Sequence, residues 1–93
     1  VALPGHSEHQ TGLAIDLALL QSEIDPICPA FPYEGICQKF RELAPSYGFV
    51  ERYPAAKEAT TGIAHEPWHF RYVGCPHAQR MMSLGLTLEE YLT

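Results

Sequence analysis

Two short runs, far apart in the chain, supply two imidazoles, one carboxylate and a spare glutamate. His9 and Asp16 lie in Ser7-Glu8-His9-Gln10-Thr11-Gly12-Leu13-Ala14-Ile15-Asp16, and Glu66 and His69 close the set in Glu66-Pro67-Trp68-His69. A catalytic zinc site takes three protein ligands from histidine, carboxylate and cysteine and keeps a fourth position for water. His9, Asp16 and His69 match that inventory. Two neutral imidazoles and one carboxylate leave a Zn²⁺ centre net positive, which draws the pKa of water at the ion towards neutrality. A base must then take the proton, and Glu66 is the candidate. Pro67 steers it out of helical geometry into an extended or turn conformation. Residues three or seven apart on an unbroken strand face opposite sides, so the chain has to bend twice. Gly12 offers a bend between His9 and Asp16, and Pro67 offers one between Glu66 and His69.

Taken singly, each of these residues has a plainer reading. A lone histidine is usually a surface or satisfied core residue, and Glu66 alone would pass for a solvated loop residue. Asp16 differs, because a carboxylate amid apolar strand residues is costly unless paired or metal-bound. Its plain alternative is an ion pair with Arg71. Trp68 is either core or a wall of a substrate pocket. His6, which forms a His-x-x-His with His9, and His65, beside the candidate base, could each replace a ligand; His77, just after Pro76, reads as a capping or surface residue.

The elements that must position these groups can be read from periodicity. Leu13, Ile15, Leu17 and Leu19 alternate with Ala14, Asp16 and Ala18, which predicts a strand with open space above the carboxylate. Cys28 to Gly35 carries two prolines and a glycine and predicts an irregular loop. A helix is predicted from Ile36 to about Ala44, with Ile36, Phe40, Leu43 and Ala44 on its buried stripe and Lys39, Arg41 and Glu42 facing water. Pro45 and Gly48 end it. Phe49 to Arg52 is a short strand and Trp68 to Val73 a second, with His69, Arg71 and Val73 pointing one way and Trp68, Phe70 and Tyr72 the other. Pro76 starts a helix running towards Gly85. Thr87 caps a last helical turn, with Glu90 completing a capping box. The fold class is α+β: a small, mostly antiparallel sheet carrying the ligands, with flanking helices packed on one side.

With 93 residues, the chain is expected to form one domain whose core alone is marginal, so a bound metal would add stability. It starts at Val1 and shows no targeting segment, and reads as an excerpt, the catalytic C-terminal part, of a longer polypeptide. A hydrophobic fraction of 46% and a charged fraction of 18% suit a folded soluble domain, and no apolar run is long enough for a membrane span. The net charge is −5 and no lysine or arginine cluster could follow a phosphate backbone, so no nucleic acid partner is expected. Cys28, Cys37 and Cys75 form no Cys-x-x-Cys pair. Buried thiols in a reducing compartment are the expectation, and a Cys28–Cys37 disulfide is the alternative.

Together, Ser7-x-His9-x-x-Gly12-x-Ala14-x-Asp16 and Glu66-Pro67-Trp68-His69 resemble the two signatures of the VanY/VanX-type D-alanyl-D-alanine metallopeptidases. The longer stretches Pro4 to Leu17 and His65 to Gly74 look most like the bifunctional VanXY enzymes, and the resemblance covers essentially the whole chain. It implies a hedgehog/D-Ala-D-Ala peptidase-like fold, zinc held by His9, Asp16 and His69, and Glu66 activating water and returning the proton to the leaving amine. It also implies that Ser7 holds the terminal carboxylate of the substrate, although a turn hydroxyl bonded to nearby backbone is the plainer role. The substrate implied is D-Ala-D-Ala, as free dipeptide or at the end of a peptidoglycan stem peptide, with a role in vancomycin-type resistance. The VanXY likeness favours a cytoplasmic location, and an extracytoplasmic or membrane-anchored full-length form, as in relatives that act outside the cell, is the alternative. Members of this family also carry an upstream arginine that binds substrate and stabilises the oxyanion, and this chain begins too late to include it. Arg71 holds a different motif position and does not inherit that role. Loss of such a donor costs on the order of a hundredfold in rate. Two other readings keep the site: a cell-wall peptidase cutting a different bond, and a non-catalytic zinc-binding module of the hedgehog kind, against which the presence of Glu66 argues.

Overall fold

The structure, a computed structural model, describes residues 5–93. Pro4, which opens the longer resembling stretch, lies outside the described residues. Three strands form one antiparallel sheet: β1 (Ala14–Asp16), β2 (Phe49–Tyr53) and β3 (Glu66–Tyr72), in the order β1-β3-β2. Between and after them run α1 (Gly35–Leu43), α2 (Glu58–Thr61), α3 (Cys75–Leu84) and α4 (Leu88–Leu92), with 3-10 turns at Glu8–Thr11 and Ala44–Tyr47.

The central strand β3 places Phe70, 1% exposed, at the middle of the core. Phe31 and Phe40 meet its ring edge-on at centroid distances of 5.7 and 5.0 Å, a favoured aromatic geometry. Cys37, Leu17, Leu19, Phe49 and Trp68 fill the remaining contacts. A second cluster joins Val50 of β2 to Ala78 and Met81 of α3, with Leu88 and Tyr91 of α4 packed on it. The helices therefore wrap the β2 edge of the sheet instead of lying in one layer on one side, as the sequence pattern suggested.

Between Gly48 and Gly74 the chain approaches itself closely. Gly48 has φ +91°, and a Cβ there would stand 2.6 Å from Tyr72 Cε1 and 3.2 Å from the Gly74 backbone. Any other residue type would be strained at that φ and would have to push the Tyr72 ring aside. Its carbonyl accepts from the Val73 N–H at 2.8 Å, which locks the end of β3 to the turn before β2.

Two expectations from periodicity need correction. The strand predicted over Leu13–Leu19 is cut to Ala14–Asp16. The Leu17 N–H still reaches the Trp68 carbonyl at 2.9 Å, but Leu19 turns away to Ala30. Pro67 has no N–H with which to continue the ladder. Leu13 and Ile15 remain 40% and 39% exposed at the edge strand β1. On α1, Ile36 and Leu43 are exposed, while Cys37 and Arg41 are the buried residues of the helix. The Arg41 guanidinium points inward and donates to the carbonyls of Phe31 (2.6 Å), Pro32 (2.7 Å) and Pro67 (2.8 Å). The cation also lies 3.7 Å above the Tyr33 ring. Three carbonyls, those of Phe31 and Pro32 in the loop and of Pro67 in β3, thus find one buried donor, which compensates the burial of its charge.

Of the other helices, α2 forms in a polar stretch where no helix was predicted, whereas α3 and α4 follow the sequence pattern. α3 begins with Pro76 in its first turn and ends at Gly85, and Thr87 and Glu90 form the capping box of α4. His77 donates to or accepts from the Tyr91 hydroxyl at 2.8 Å, linking α3 to α4. Among the described residues no helix is long and apolar enough to cross a membrane.

Candidate metal centre and catalytic cleft

The first motif is shaped by a cap and a glycine. Ser7 stands before the turn Glu8–Thr11, its Oγ accepting from the His9 N–H at 3.3 Å while Gln10 Oε1 accepts from the Ser7 N–H at 3.4 Å. Gly12, at φ +76°, closes the turn and redirects the chain into β1. Asp16 then falls directly opposite His69 in the antiparallel register, so both side chains leave the same face of the sheet.

His9 swings over this pair from the turn. Asp16 Oδ1 lies 3.1 Å from His9 Nε2 and 3.1 Å from His69 Nδ1, and the two imidazole rings meet edge-on with centroids 4.9 Å apart. One donor atom from each of the three residues lies within 4.8 Å of the others. Tetrahedral zinc with ligand bonds of about 2.0–2.2 Å separates its donors by roughly 3.4 Å. The spacing and the N, N, O donor set therefore fit a zinc ion. His69 is buried, whereas His9 and Asp16 open to the cleft. The ion pair between Asp16 and Arg71 that the sequence left open is absent: Arg71 pairs with Glu8, 2.8 Å away.

Glu66 reaches the same point through an irregularity of β3. Phe70 pairs with Glu51 but Glu66 pairs with Tyr53, so β3 spends four residue steps where β2 spends two. This bulge, between Glu66 and Phe70, undoes strict alternation and brings Glu66 and His69 to one side although they are three apart. Glu66 Oε1 lies 3.7 Å from His69 Nδ1. Burial pushes the Glu66 carboxyl above its ordinary value, the His69 ring opposes the rise and the Asp16 carboxylate adds to it. A carboxyl so raised holds a proton more readily, which suits a group that takes one up and gives it back.

Glu8 is a site residue that the sequence did not single out. Its Oε1 lies 2.9 Å from His69 Nε2, and its Oε2 accepts from Arg52 Nε at 2.7 Å and Arg71 Nη1 at 2.8 Å. Burial pushes the Glu8 carboxyl up, but hydrogen bonds from His69, Arg52 and Arg71 outweigh it and hold the group down at about 2. The only signal available was Arg71, two residues after His69 on the same strand face and in need of an anion.

These groups line an open cleft of about 640 Å³ that also includes Ser7, Ile27, Cys28, Ile63, His65 and Trp68. Ser7 bonds nearby backbone, the plainer of its two readings, and also lines the cleft. Trp68 is at once a cleft residue and a contact of the Phe70 core. His6 and His65 border the cleft without joining the donor cluster, and His65 bonds instead to the Tyr33 hydroxyl at 2.6 Å. Cys37 is buried, Cys28 and Cys75 are exposed, and all three are free thiols.

Residues 1–75 match the family model of VanY, D-alanyl-D-alanine carboxypeptidase. Over 92 residues the chain is 53% identical to the bifunctional D-Ala-D-Ala dipeptidase and D-Ala-D-Ala carboxypeptidase VanXYC of Enterococcus gallinarum, covering 98% of this chain and 48% of that protein. The chain thus spans about half the length of this curated relative. Among solved structures, it superposes with a TM-score of 0.96 at 64% identity on the vancomycin resistance D,D-dipeptidase VanXYg in complex with a D-Ala-D-Ala phosphinate analogue, covering 99% of this chain and 37% of that one. It superposes with a TM-score of 0.81 at 43% identity on a mutant of the vancomycin resistance D,D-pentapeptidase VanY in complex with Zn(II), covering 100% of this chain and 48% of that one.

Proposed function

This chain belongs to the VanY family of D-alanyl-D-alanine carboxypeptidases, and from that premise we propose that it is the catalytic part of a zinc-dependent peptidase removing the terminal D-alanine of D-Ala-D-Ala. The substrate is the free dipeptide or the end of a peptidoglycan stem peptide, and the biological role is in vancomycin-type resistance. The observation that carries the reading is the Asp16 carboxylate oxygen lying 3.1 Å from one nitrogen of each of two imidazoles, with Glu66 beside them.

His9 Nε2, Asp16 Oδ1 and His69 Nδ1 would hold the ion. When bound there, Zn²⁺ supplies Lewis acidity, polarising the scissile carbonyl and acidifying water. Glu66 takes the proton of the attacking water as its oxygen adds to the carbonyl carbon. As the C–N bond breaks, the same carboxyl returns that proton to the leaving amine of D-alanine. Ser7 accepts the His9 N–H through a lone pair, so its own hydroxyl hydrogen remains able to donate to the substrate carboxylate. Trp68 walls the cleft with its rigid apolar face. The three unpaired cysteines suit a reducing compartment, which favours a cytoplasmic enzyme.

The test is D-alanine release from D-Ala-D-Ala and from a stem pentapeptide, by the protein in its full length, with and without a zinc chelator. Release that the chelator abolishes and zinc restores is expected. A zinc-loaded protein that releases no D-alanine from either substrate would favour the binding module, and cleavage confined to another cell-wall bond would keep the site but change the substrate.

A further inference from the structure

A ring nitrogen can face a metal only as a lone pair, so the tautomer of a ligand histidine is decided by what its other nitrogen meets. His69 Nδ1 faces the site, 3.1 Å from Asp16 Oδ1 and 3.7 Å from Glu66 Oε1. Its Nε2 faces away from the site, towards Glu8 Oε1 at 2.9 Å. Glu8 has no choice of role, because its other oxygen accepts from two guanidinium groups, Arg52 and Arg71. Between two arginines it stays an anion, and an anionic carboxylate only accepts. Arg52 is fixed in turn by Glu89 of α4, whose Oε1 takes its Nη1 hydrogen at 2.7 Å. Glu8, Arg52 and Arg71 are largely buried, with side chains 13%, 11% and 21% exposed, so water competes little for these bonds.

We propose that Glu8 is a positioning residue: held by Arg52 and Arg71, its carboxylate keeps the hydrogen of His69 on Nε2 and so presents the Nδ1 lone pair to the metal. This rests on the reading of His9, Asp16 and His69 as a zinc centre. It gives the turn residue next to one ligand the task of orienting a different ligand, contributed by the far strand. Glu89 makes α4 part of the same chain of contacts, through Arg52.

The amide variant separates this role from plain packing. In Glu8→Gln the oxygen must stay with the two arginines, because both only donate. The amide NH₂ then falls opposite His69 Nε2 and donates to it, which drives the ring hydrogen to Nδ1. Nitrogen-15 NMR of the imidazoles in the metal-free chain reads the tautomer directly, and titration with Zn²⁺ alone reads affinity. Expected are an Nε2–H His69 in the unaltered chain, an Nδ1–H His69 in Glu8→Gln, and zinc affinity lowered about ten- to a hundredfold in the variant. An Nδ1–H His69 in the unaltered chain overturns the proposal, and so does a Glu8→Gln chain that keeps the Nε2–H form with zinc affinity within twofold. If Glu8→Gln does not fold, the tautomer of the unaltered chain decides alone. A chain that takes up no zinc but shows both tautomers as expected would sink the zinc centre while leaving the orienting role of Glu8 intact.

Discussion

Two glutamates flank the His69 ring and are driven in opposite directions by their surroundings. Glu8 is drawn down to about 2 by three hydrogen-bond donors, whereas burial and the nearby Asp16 push Glu66 up, away from any arginine contact. One is therefore a fixed anion and the other a group able to exchange protons. Glu66→Ala should lower D-alanine release by roughly 10²–10⁴-fold, the usual contribution of a positioned acid–base group, with zinc content staying near one per chain. Metal analysis of the purified variant checks this, and loss of zinc along with activity would make Glu66 a ligand or a structural residue. His9, Asp16, Glu66 and His69 could be found in the sequence because coordination chemistry restricts ligands to a few residue types, and two short runs held them all. Glu8 could not, since its significance depends on Arg52 and Arg71 arriving from two other strands.

At the scale of elements, the site depends on the bulge of β3 between Glu66 and Phe70 and on what anchors the chain there. Arg41 of α1 binds the Pro67 carbonyl together with those of Phe31 and Pro32. Arg41→Met should cost about 3 kcal/mol, since three buried carbonyls lose a charged donor, and should lower the melting temperature by on the order of 15 °C. Thermal denaturation of the metal-free chain measures it, and a shift of only a degree or two would mean that the carbonyls find other partners. The sequence pattern placed Arg41 in water because charge is normally solvated; the carbonyls that reverse this belong to segments ten and twenty-six residues away. Pro67, by contrast, announced its bend locally. The turn carrying His9 is tied to the sheet through Glu8, and this gives a dependence on acid. The Glu8 carboxyl ordinarily titrates at 4.5 and in the folded chain at about 2, so the unfolded chain gains its proton first as pH falls. The stabilisation is present above pH 4.5 and is lost progressively as pH falls towards 2. Urea midpoints across that window should fall more steeply for the unaltered chain than for Glu8→Gln, and parallel slopes would contradict the tie.

Across the whole molecule, the candidate ion would join residues 9 and 16 to residue 69, closing the first turn and β1 onto the far strand with a cross-link that the small core does not provide. Zinc at a hundredfold excess over its dissociation constant should stabilise the chain by about 2.7 kcal/mol, enough to raise its melting temperature by on the order of 15 °C, reversibly with a chelator. The α+β class, the antiparallel sheet and the helices α1, α3 and α4 were legible because period-2 and period-3.6 patterns, prolines and caps are local signals, whereas the single turn of α2 carries no such pattern. The wrapping of α3 and α4 around the β2 edge was not, because Val50, Ala78 and Met81 say that they are buried without saying against what. The most direct measurement is a zinc-edge anomalous map from crystals of the metal-loaded chain. One peak bonded to His9 Nε2, Asp16 and His69 Nδ1, with Glu66 near but unbonded, is expected; an ion held by another set of residues, or by Glu66 in place of one of these three, would contradict the proposed centre.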